Sequence, residues 1–171
     1  MGVSVRVTTG DNVVTLSETA ILAGLITEEE KYDEDVIKEG HDLSERTTIT
    51  PKLKLIGRCT PEAKALMVSK LQNEGKIVAY SSSSSSDAMA LKTANIGIGF
   101  GLEGTEICKA ASDVILMNDS FHSMILGLKH GRNFVENVQR YIQLQLSFTL
   151  ISLSIVFIGS TFSVEEPISA F

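Results

Sequence analysis

The sequence is poor in cysteine and has no excess of positive charge. Its two cysteines, Cys59 and Cys108, form neither a CxxC pair nor any zinc-binding spacing, so we predict reduced, buried thiols in a cytosolic domain. The net charge is -6, so no nucleic-acid partner is indicated. Met1 leads into an alternating segment and not into a basic and then apolar run, so we predict no secretory leader.

One long apolar run without charge, residues 142–162, lies near the C-terminus. A membrane-spanning helix needs about 20 mainly apolar residues, and it tolerates the Ser, Thr and Gly found here. The alternative is a buried core helix. Basic residues precede the run and acidic residues follow it, which predicts a membrane partner with the N-terminal domain in the cytosol. These flanking residues are Lys129, Arg132, Arg140, Glu165 and Glu166.

Short apolar strands alternate with helices before that run. Strands are predicted at 3–7, 53–57, 77–80, 96–99 and 114–117, with helices between them. This order predicts an α/β fold, a parallel sheet with flanking helices. The segment 27–51 has no clear period and is predicted to be a loop or insertion. Ligands of such sheets bind beyond the carboxyl ends of the strands, which directs attention to the loops 9–12, 81–87 and 100–105.

Several segments then match a known family in its order and near its spacing. Thr-Gly-Asp-Asn at 9–12 resembles the TGDN motif of P-type ATPases, and Thr-Pro-Glu-Ala-Lys at 60–64 resembles their PxxK helix start. Residues 87–92 resemble the end of the hinge motif TGDGxNDxPALK. Residues 104–116 and 118–133 are similar to the stretches that lead to the fifth membrane helix. Gln-Leu-Gln-Leu at 143–146 resembles the start of that helix in plant autoinhibited, plasma-membrane-type calcium pumps.

The resemblance implies a fold, a domain order and an activity. The fold is the haloacid-dehalogenase-like, Rossmann-related phosphorylation domain, present in part at 1–118 and followed by one transmembrane helix. A cytosolic stalk helix is expected at 119–141, the transmembrane helix at 142–162 and a short tail at 163–171. Members of the family export Ca²⁺ from the cytosol at the expense of ATP, with Mg²⁺ as cofactor, across the plasma membrane or an endomembrane.

Five residues fall at the family's phosphate and metal site. By resemblance, Thr9 and Gly10 offer a hydroxyl and a backbone N–H, and Asp11 orients the phosphate loop. Lys64 matches the lysine that neutralises the phosphorylated aspartate, and Asp87 matches an acidic residue near the magnesium. Taken singly, each has an ordinary interpretation as well: Asp11 and Asp87 as helix caps, and Lys64 as a surface lysine in a first turn.

The departures from the family pattern concern the chemistry itself. Residues 1–171 contain no DKTGT segment, so the attacking aspartate is absent from them. Ser83 stands where the family has its magnesium-binding aspartate, and Thr149 stands where calcium pumps have a calcium-binding asparagine. Neutral hydroxyls are poor replacements for these ligands. The serine run 81–86 can be a phosphate-binding nest, a phosphorylation cluster or low-complexity replacement of a lost site, and the last is favoured.

The expected function is therefore that of a fragment or degenerate relative of a calcium-transporting ATPase, a pseudoenzyme that is inactive by itself. The alternative is a membrane-anchored interaction protein that modulates full-length pumps. A soluble phosphatase-like domain that merely shares the fold is a third hypothesis. The missing nucleophile motif argues against it.

Overall fold

The chain forms two compact units in a computed structural model, which describes residues 2–43 and 49–162. The first unit spans Met1–Asp119 and the second spans Ser120–Phe171. The predicted tail 163–171 lies outside the described residues. All strands of the described residues, and the candidate site, belong to the first unit.

The first sheet of this unit has three parallel strands in the order β1-β3-β2. These are β1 (Val7–Thr8), β2 (Ile37–Glu39) and β3 (Leu55–Gly57), and helix α1 (Val13–Leu22) follows β1. Asn12 caps α1 by accepting a hydrogen bond from the backbone N–H of Val14. Helix α1 covers one face of the sheet with an apolar cluster that includes Leu16, Ala20 and Leu55.

The second sheet is also parallel, with the order β4-β5-β6. Helix α2 (Pro61–Asn73) leads to β4 (Ala79–Ser82), α3 (Ala88–Thr93), β5 (Ile96–Phe100), α4 (Glu106–Ala111) and β6 (Val114–Leu116). Gly97 and Gly99 of β5 admit a close approach by the backbone of α3 and the end of α4, since a Cβ there would meet Leu91 O at 2.8 Å and Ser112 Oγ at 2.6 Å. The predicted fold class, parallel strands with flanking helices, is confirmed.

Helix α2 connects the two sheets. Thr60 caps it through the N–H of Ala63, and Pro61 occupies its first turn, as its sequence predicts. One side of the helix packs on β3 in a cluster with Ile56, Met67 and Leu71, whereas Ala65 and Val68 pack against α3 and β4. Helix α2 therefore packs against residues of both sheets.

Two strand predictions need correction. The strand predicted at 3–7 pairs only from Val7, and Val3 and Val5 are 60% and 51% exposed. The segment 27–51, predicted to be a loop or insertion, contributes β2 and two short 3-10 helices, because Val36 and Ile37 join the buried cluster on β3. Unlike β3 and β6, β2 continues its first apolar residue with a lysine and a glutamate, so no apolar run marks it in the sequence.

Helix α5 (Phe121–Phe162) forms the regular part of the second unit. It runs without a break through the predicted stalk and the predicted transmembrane segment, so the backbone marks no boundary at 141. The described residues include one helix long and apolar enough to cross a membrane, Phe121–Thr161, and none of its most apolar window is buried. This exposure argues against the alternative of a buried core helix.

Asp119 closes the first unit with a dense set of hydrogen bonds. Its carboxylate accepts the backbone N–H groups of Gly101, Leu102 and Glu103 at 2.6–3.1 Å. Its own φ is 50°, in the left-handed region that aspartate tolerates. Although desolvation acts to raise the pKa of Asp119, the three N–H donors outweigh it and hold the pKa below its ordinary value.

We expect Asp119→Asn to lower the stability of the fold at neutral pH and to weaken its acid dependence. The folded pKa lies below that of the unfolded chain, about 3.9. The bonds therefore stabilise the fold above that pH, and this contribution disappears as the pH falls through the folded pKa. Urea unfolding at pH 7 and pH 3 measures the effect. Asp35→Asn, at an exposed position, is the matched control. Equal losses at both pH values would contradict the interpretation.

Candidate functional site

The candidate site is built around Asp87, at the carboxyl end of β4. Its side chain is only 6% exposed. Lys64, in the first turn of α2, contacts both carboxylate oxygens, at 2.8 Å and 3.0 Å, and is 12% exposed. Three hydroxyls donate to the same carboxylate: Ser82 at 2.7 Å, Tyr80 at 3.3 Å and Ser86 at 3.3 Å. The negative charge is thus matched by one cation and three donors.

The pKa of Asp87 reflects this balance. Burial alone would raise it, but the bonds from Lys64 and Ser82 and the charge of Lys64 outweigh burial and hold the pKa below its ordinary value. Burial, with the carboxylate nearby, raises the pKa of Tyr80 to about 12. Burial likewise raises the pKa of Cys59 to about 11, so this thiol is a poor nucleophile. At neutral pH the site consists of one ion pair and neutral hydroxyl and thiol groups.

The serine run folds back on itself through its own hydroxyls. Ser82 Oγ accepts the N–H of Ser84, Ser84 Oγ accepts the N–H of Ser86, and the two hydroxyls of Ser84 and Ser86 lie 2.8 Å apart. These local bonds favour a turn over continued strand, and a 3-10 helix, Ser85–Asp87, follows. Ser83 O accepts the N–H of Thr105, which brings the predicted loops 81–87 and 100–105 into contact.

The loop that carries Thr9, Gly10 and Asp11 lies at the carboxyl end of β1. Thr9 Oγ1 donates to the Asp11 carboxylate at 3.0 Å and accepts the Asp11 N–H at 3.1 Å. Thr9 O accepts the N–H of Cys59, just before α2 begins. Gly10 and Asp11 are exposed. Asp11 does not cap α1, because Asn12 does. The structure thus brings Lys64 and Asp87 into direct contact. The loop of Thr9, Gly10 and Asp11 is linked to them only through neighbouring residues such as Cys59.

Thr8 and Tyr80 provide the link between the two halves of the site. Their hydroxyls lie 3.4 Å apart, across the two sheets, and Tyr80 also donates to Asp87. Sequence reasoning assigned no role to Tyr80 and Thr8, because each sits in a strand with no pattern of its own. It singled out the loop 81–87 that contains Ser82, but not the bond from Ser82 to Asp87. The signal that was available is position: all three stand within two residues of the ends of predicted or observed strands.

These residues do not fit a Mg²⁺ site. The cation takes oxygen ligands in octahedral geometry, usually with one or two carboxylates. Both oxygens of Asp87 already bind Lys64. Ser83 offers only a neutral hydroxyl, and the described residues contain no group of three His, Cys, Asp or Glu side chains placed to hold a metal. A cation bound here would share the Asp87 carboxylate with the Lys64 ammonium, which repels it.

The predicted calcium position, Thr149, lies exposed on α5. Its hydroxyl donates to Gln145 O of the same helix at 2.9 Å. Calcium takes about 6–8 oxygen ligands. One hydroxyl that is already bonded to its own helix falls far short of that number.

Sequence comparison relates the chain to calcium pumps along nearly its whole length. Calcium-transporting ATPase 12, plasma membrane-type, from Arabidopsis thaliana is 36% identical over 174 residues, which covers 99% of this chain and 17% of that protein. Calcium-transporting ATPase PAT1 of Dictyostelium discoideum is 36% identical over 93% of this chain and 14% of its own length. The chain thus spans less than a fifth of these relatives. No protein-family model matches it.

Solved structures show the same fold at lower identity. A zinc-transporting PIB-type ATPase in its E2.Pi state aligns with a TM-score of 0.67 at 23% identity, covering 90% of this chain and 21% of that chain. The catalytic domain of the CPx-ATPase CopB-B aligns with a TM-score of 0.51 at 21% identity, covering 74% of this chain and 39% of that chain. Sequence and fold agree with the motifs: the chain is a homologue of one segment of the plasma-membrane-type calcium-transporting ATPases, within the P-type ATPases.

Proposed function

We propose that residues 1–171 form a membrane-anchored, non-catalytic relative of the calcium-pump phosphorylation domain. The observation that carries the proposal is the occupation of Asp87. Both of its oxygens are bound by Lys64, and the neighbouring position 83 holds a serine. Phosphoryl transfer needs a nucleophile in line and a metal to neutralise charge. Here the cation that fills the site is a lysine, and the 171 residues contain no DKTGT nucleophile.

In this proposal Thr9, Gly10, Asp11, Lys64 and Asp87 are remnants of a phosphate and metal site that now stabilise the fold. The Lys64–Asp87 pair joins α2 to the end of β4. Thr9 O accepts the N–H of Cys59 and so holds the segment that precedes α2. Helix α5 anchors the chain in a membrane, with the first unit in the cytosol. ATP, Mg²⁺ and Ca²⁺ belong to the parental activity.

A second candidate function is that of an interaction protein that acts on full-length pumps. The exposed apolar surface of α5 favours it, since a lone spanning helix can pack against other membrane helices. Co-purification of the tagged chain with an intact calcium pump, in a detergent that keeps the pump active, tests this candidate. The control is a chain in which an unrelated spanning helix replaces α5. If α5 makes the contact with the pump, this chain should not co-purify with it.

Incubation of the purified chain with radiolabelled ATP, Mg²⁺ and Ca²⁺ is expected to produce no acid-stable acyl-phosphate. The physical reason is the lack of an attacking carboxylate and of an open metal site. An active calcium pump, processed in parallel, shows that the assay works. Calcium-stimulated turnover of nucleotide by the purified chain would refute the proposal.

Lys64→Met is expected to destabilise the fold by about 3–5 kcal/mol, because it leaves the Asp87 carboxylate buried without its cation. The double variant Lys64→Met with Asp87→Asn is expected to recover part of that loss, because no buried charge remains. Urea unfolding at pH 7 measures both. Lys92→Met, at an exposed position on α3, is the control. A loss for Lys64→Met no larger than for this control would show that the pair has no structural role.

Leu150→Arg is expected to release part of the chain from membranes into a carbonate wash, whereas the wild-type chain remains in the pellet. Arginine at the centre of a spanning helix costs about 2.5–3.5 kcal/mol on insertion scales. Asn133→Arg, in the predicted stalk, is the matched control and is expected to leave extraction unchanged. Complete extraction of the wild-type chain by carbonate would overturn the membrane assignment.

A further inference from the structure

The part of α5 that precedes the apolar run lacks, within the described residues, the packing that usually stabilises a helix. Residues 125–141 are exposed throughout, and only Ser123 and Met124 in the first turn are half-buried. Most of the stability of a protein helix comes from packing of one apolar face and not from its intrinsic propensity. Residues 125–141 therefore depend chiefly on propensity to remain helical.

Two glycines lower that propensity within one turn of the helix. Gly127 and Gly131 are four residues apart, so in the α-helix the N–H of Gly131 bonds to the C=O of Gly127. In an exposed helix interior, each glycine lowers the equilibrium constant for the helical state about fivefold relative to alanine, because glycine loses more backbone freedom. Asn133, a weak helix former, follows close behind.

No close contact within the described residues explains either glycine. A Cβ at Gly127 or Gly131 would meet no atom within 4 Å outside the neighbouring backbone of α5. Neither glycine has a positive φ, which is the other common reason for this residue. Gly97 differs, since a Cβ there would meet Leu91 O at 2.8 Å. The loss of helix stability at Gly127 and Gly131 is thus not offset by packing in the described part of the chain.

Both ends of this stretch are held more firmly. Before α5, Asp119 accepts three backbone N–H groups, and the N–H of Ser123 bonds to Ser120 O at 3.0 Å. After the stretch, residues 142–162 carry no charge, and inside a bilayer an opened turn would leave backbone groups without water to bond. This last point rests on the proposed function, in which α5 anchors the chain in a membrane. The weakest turns of α5 therefore lie around residues 127–133.

We propose that residues 127–133 form a joint, a segment that opens from helix to coil while the rest of α5 remains helical. Local opening occurs where backbone hydrogen bonds are exposed and buried contacts are few. With the joint closed, α5 is a single helix. An open joint uncouples the membrane anchor from the first unit, so that a rotation of one is not imposed on the other.

Hydrogen exchange of the full chain in detergent micelles, followed residue by residue by NMR, tests the joint. The N–H groups of residues 131–135 bond to carbonyls of the joint, whereas those of residues 139–141 bond to carbonyls beyond it. The first group is expected to exchange at least about tenfold faster than the second, because exchange follows the population of the open state. Residues 146–158, inside the micelle, are expected to exchange slowest.

Gly127→Ala combined with Gly131→Ala is the variant that closes the joint. Two effects of about fivefold multiply, so exchange at residues 131–135 is expected to slow by about 25-fold. Both Cβ positions are open, so the two alanines fit the folded helix. Gly159→Ala is the matched control, because it makes the same substitution inside the span. It is expected to leave exchange at residues 131–135 unchanged.

The contrary results are distinct from one another. Equal exchange at residues 131–135 and 139–141, or no response of residues 131–135 to the double alanine variant, would overturn the joint and leave the membrane anchor standing. Fast exchange throughout residues 125–141 would also overturn it, because the whole segment and not a joint would then be open. Fast exchange at residues 146–158 would refute the membrane anchor and, with it, the joint that rests on it.

Discussion

A carboxylate withdrawn from water must be neutralised and hydrogen-bonded, and in this fold Asp87 imposes that requirement. Lys64 and three hydroxyls meet it. Because Lys64 lies in the first turn of α2, and α2 packs against both sheets, the ion pair ties this helix to the end of β4. The pair also supplies the neutralising charge that the buried carboxylate requires.

The serine run holds its turn through its own hydroxyls. Along residues 82–87 the serine hydroxyls donate to and accept from groups only one or two residues away, apart from the bond of Ser82 to Asp87. Such bonds need no glycine and no metal to hold the turn. The approach of Thr105 to Ser83 then ties this turn to the next strand-end loop. A turn held by neutral hydroxyls is thus compatible with the fold of the family.

Much of the fold was predictable from the sequence because its helix signals are local. Thr60 and Pro61 predict the start of α2, and Gly75 predicts its end, where the structure has a Gly with φ of 76°. β2 was missed because its sequence, Ile-Lys-Glu, has no apolar run, and its pairing with β3 defines it. The site was predictable only in part. Lys64 and Asp87 carry family motifs, whereas Tyr80 matters through the position of its hydroxyl, which depends on how two sheets lie side by side.

Helix α5 has a mechanical consequence. At about 1.5 Å per residue, its 42 residues extend for about 63 Å, roughly twice the 30 Å hydrocarbon layer of a bilayer. If α5 crosses a membrane, about half of its length therefore lies outside the hydrocarbon layer. No proline interrupts it, so the lengths inside and outside the bilayer would belong to one continuous helix.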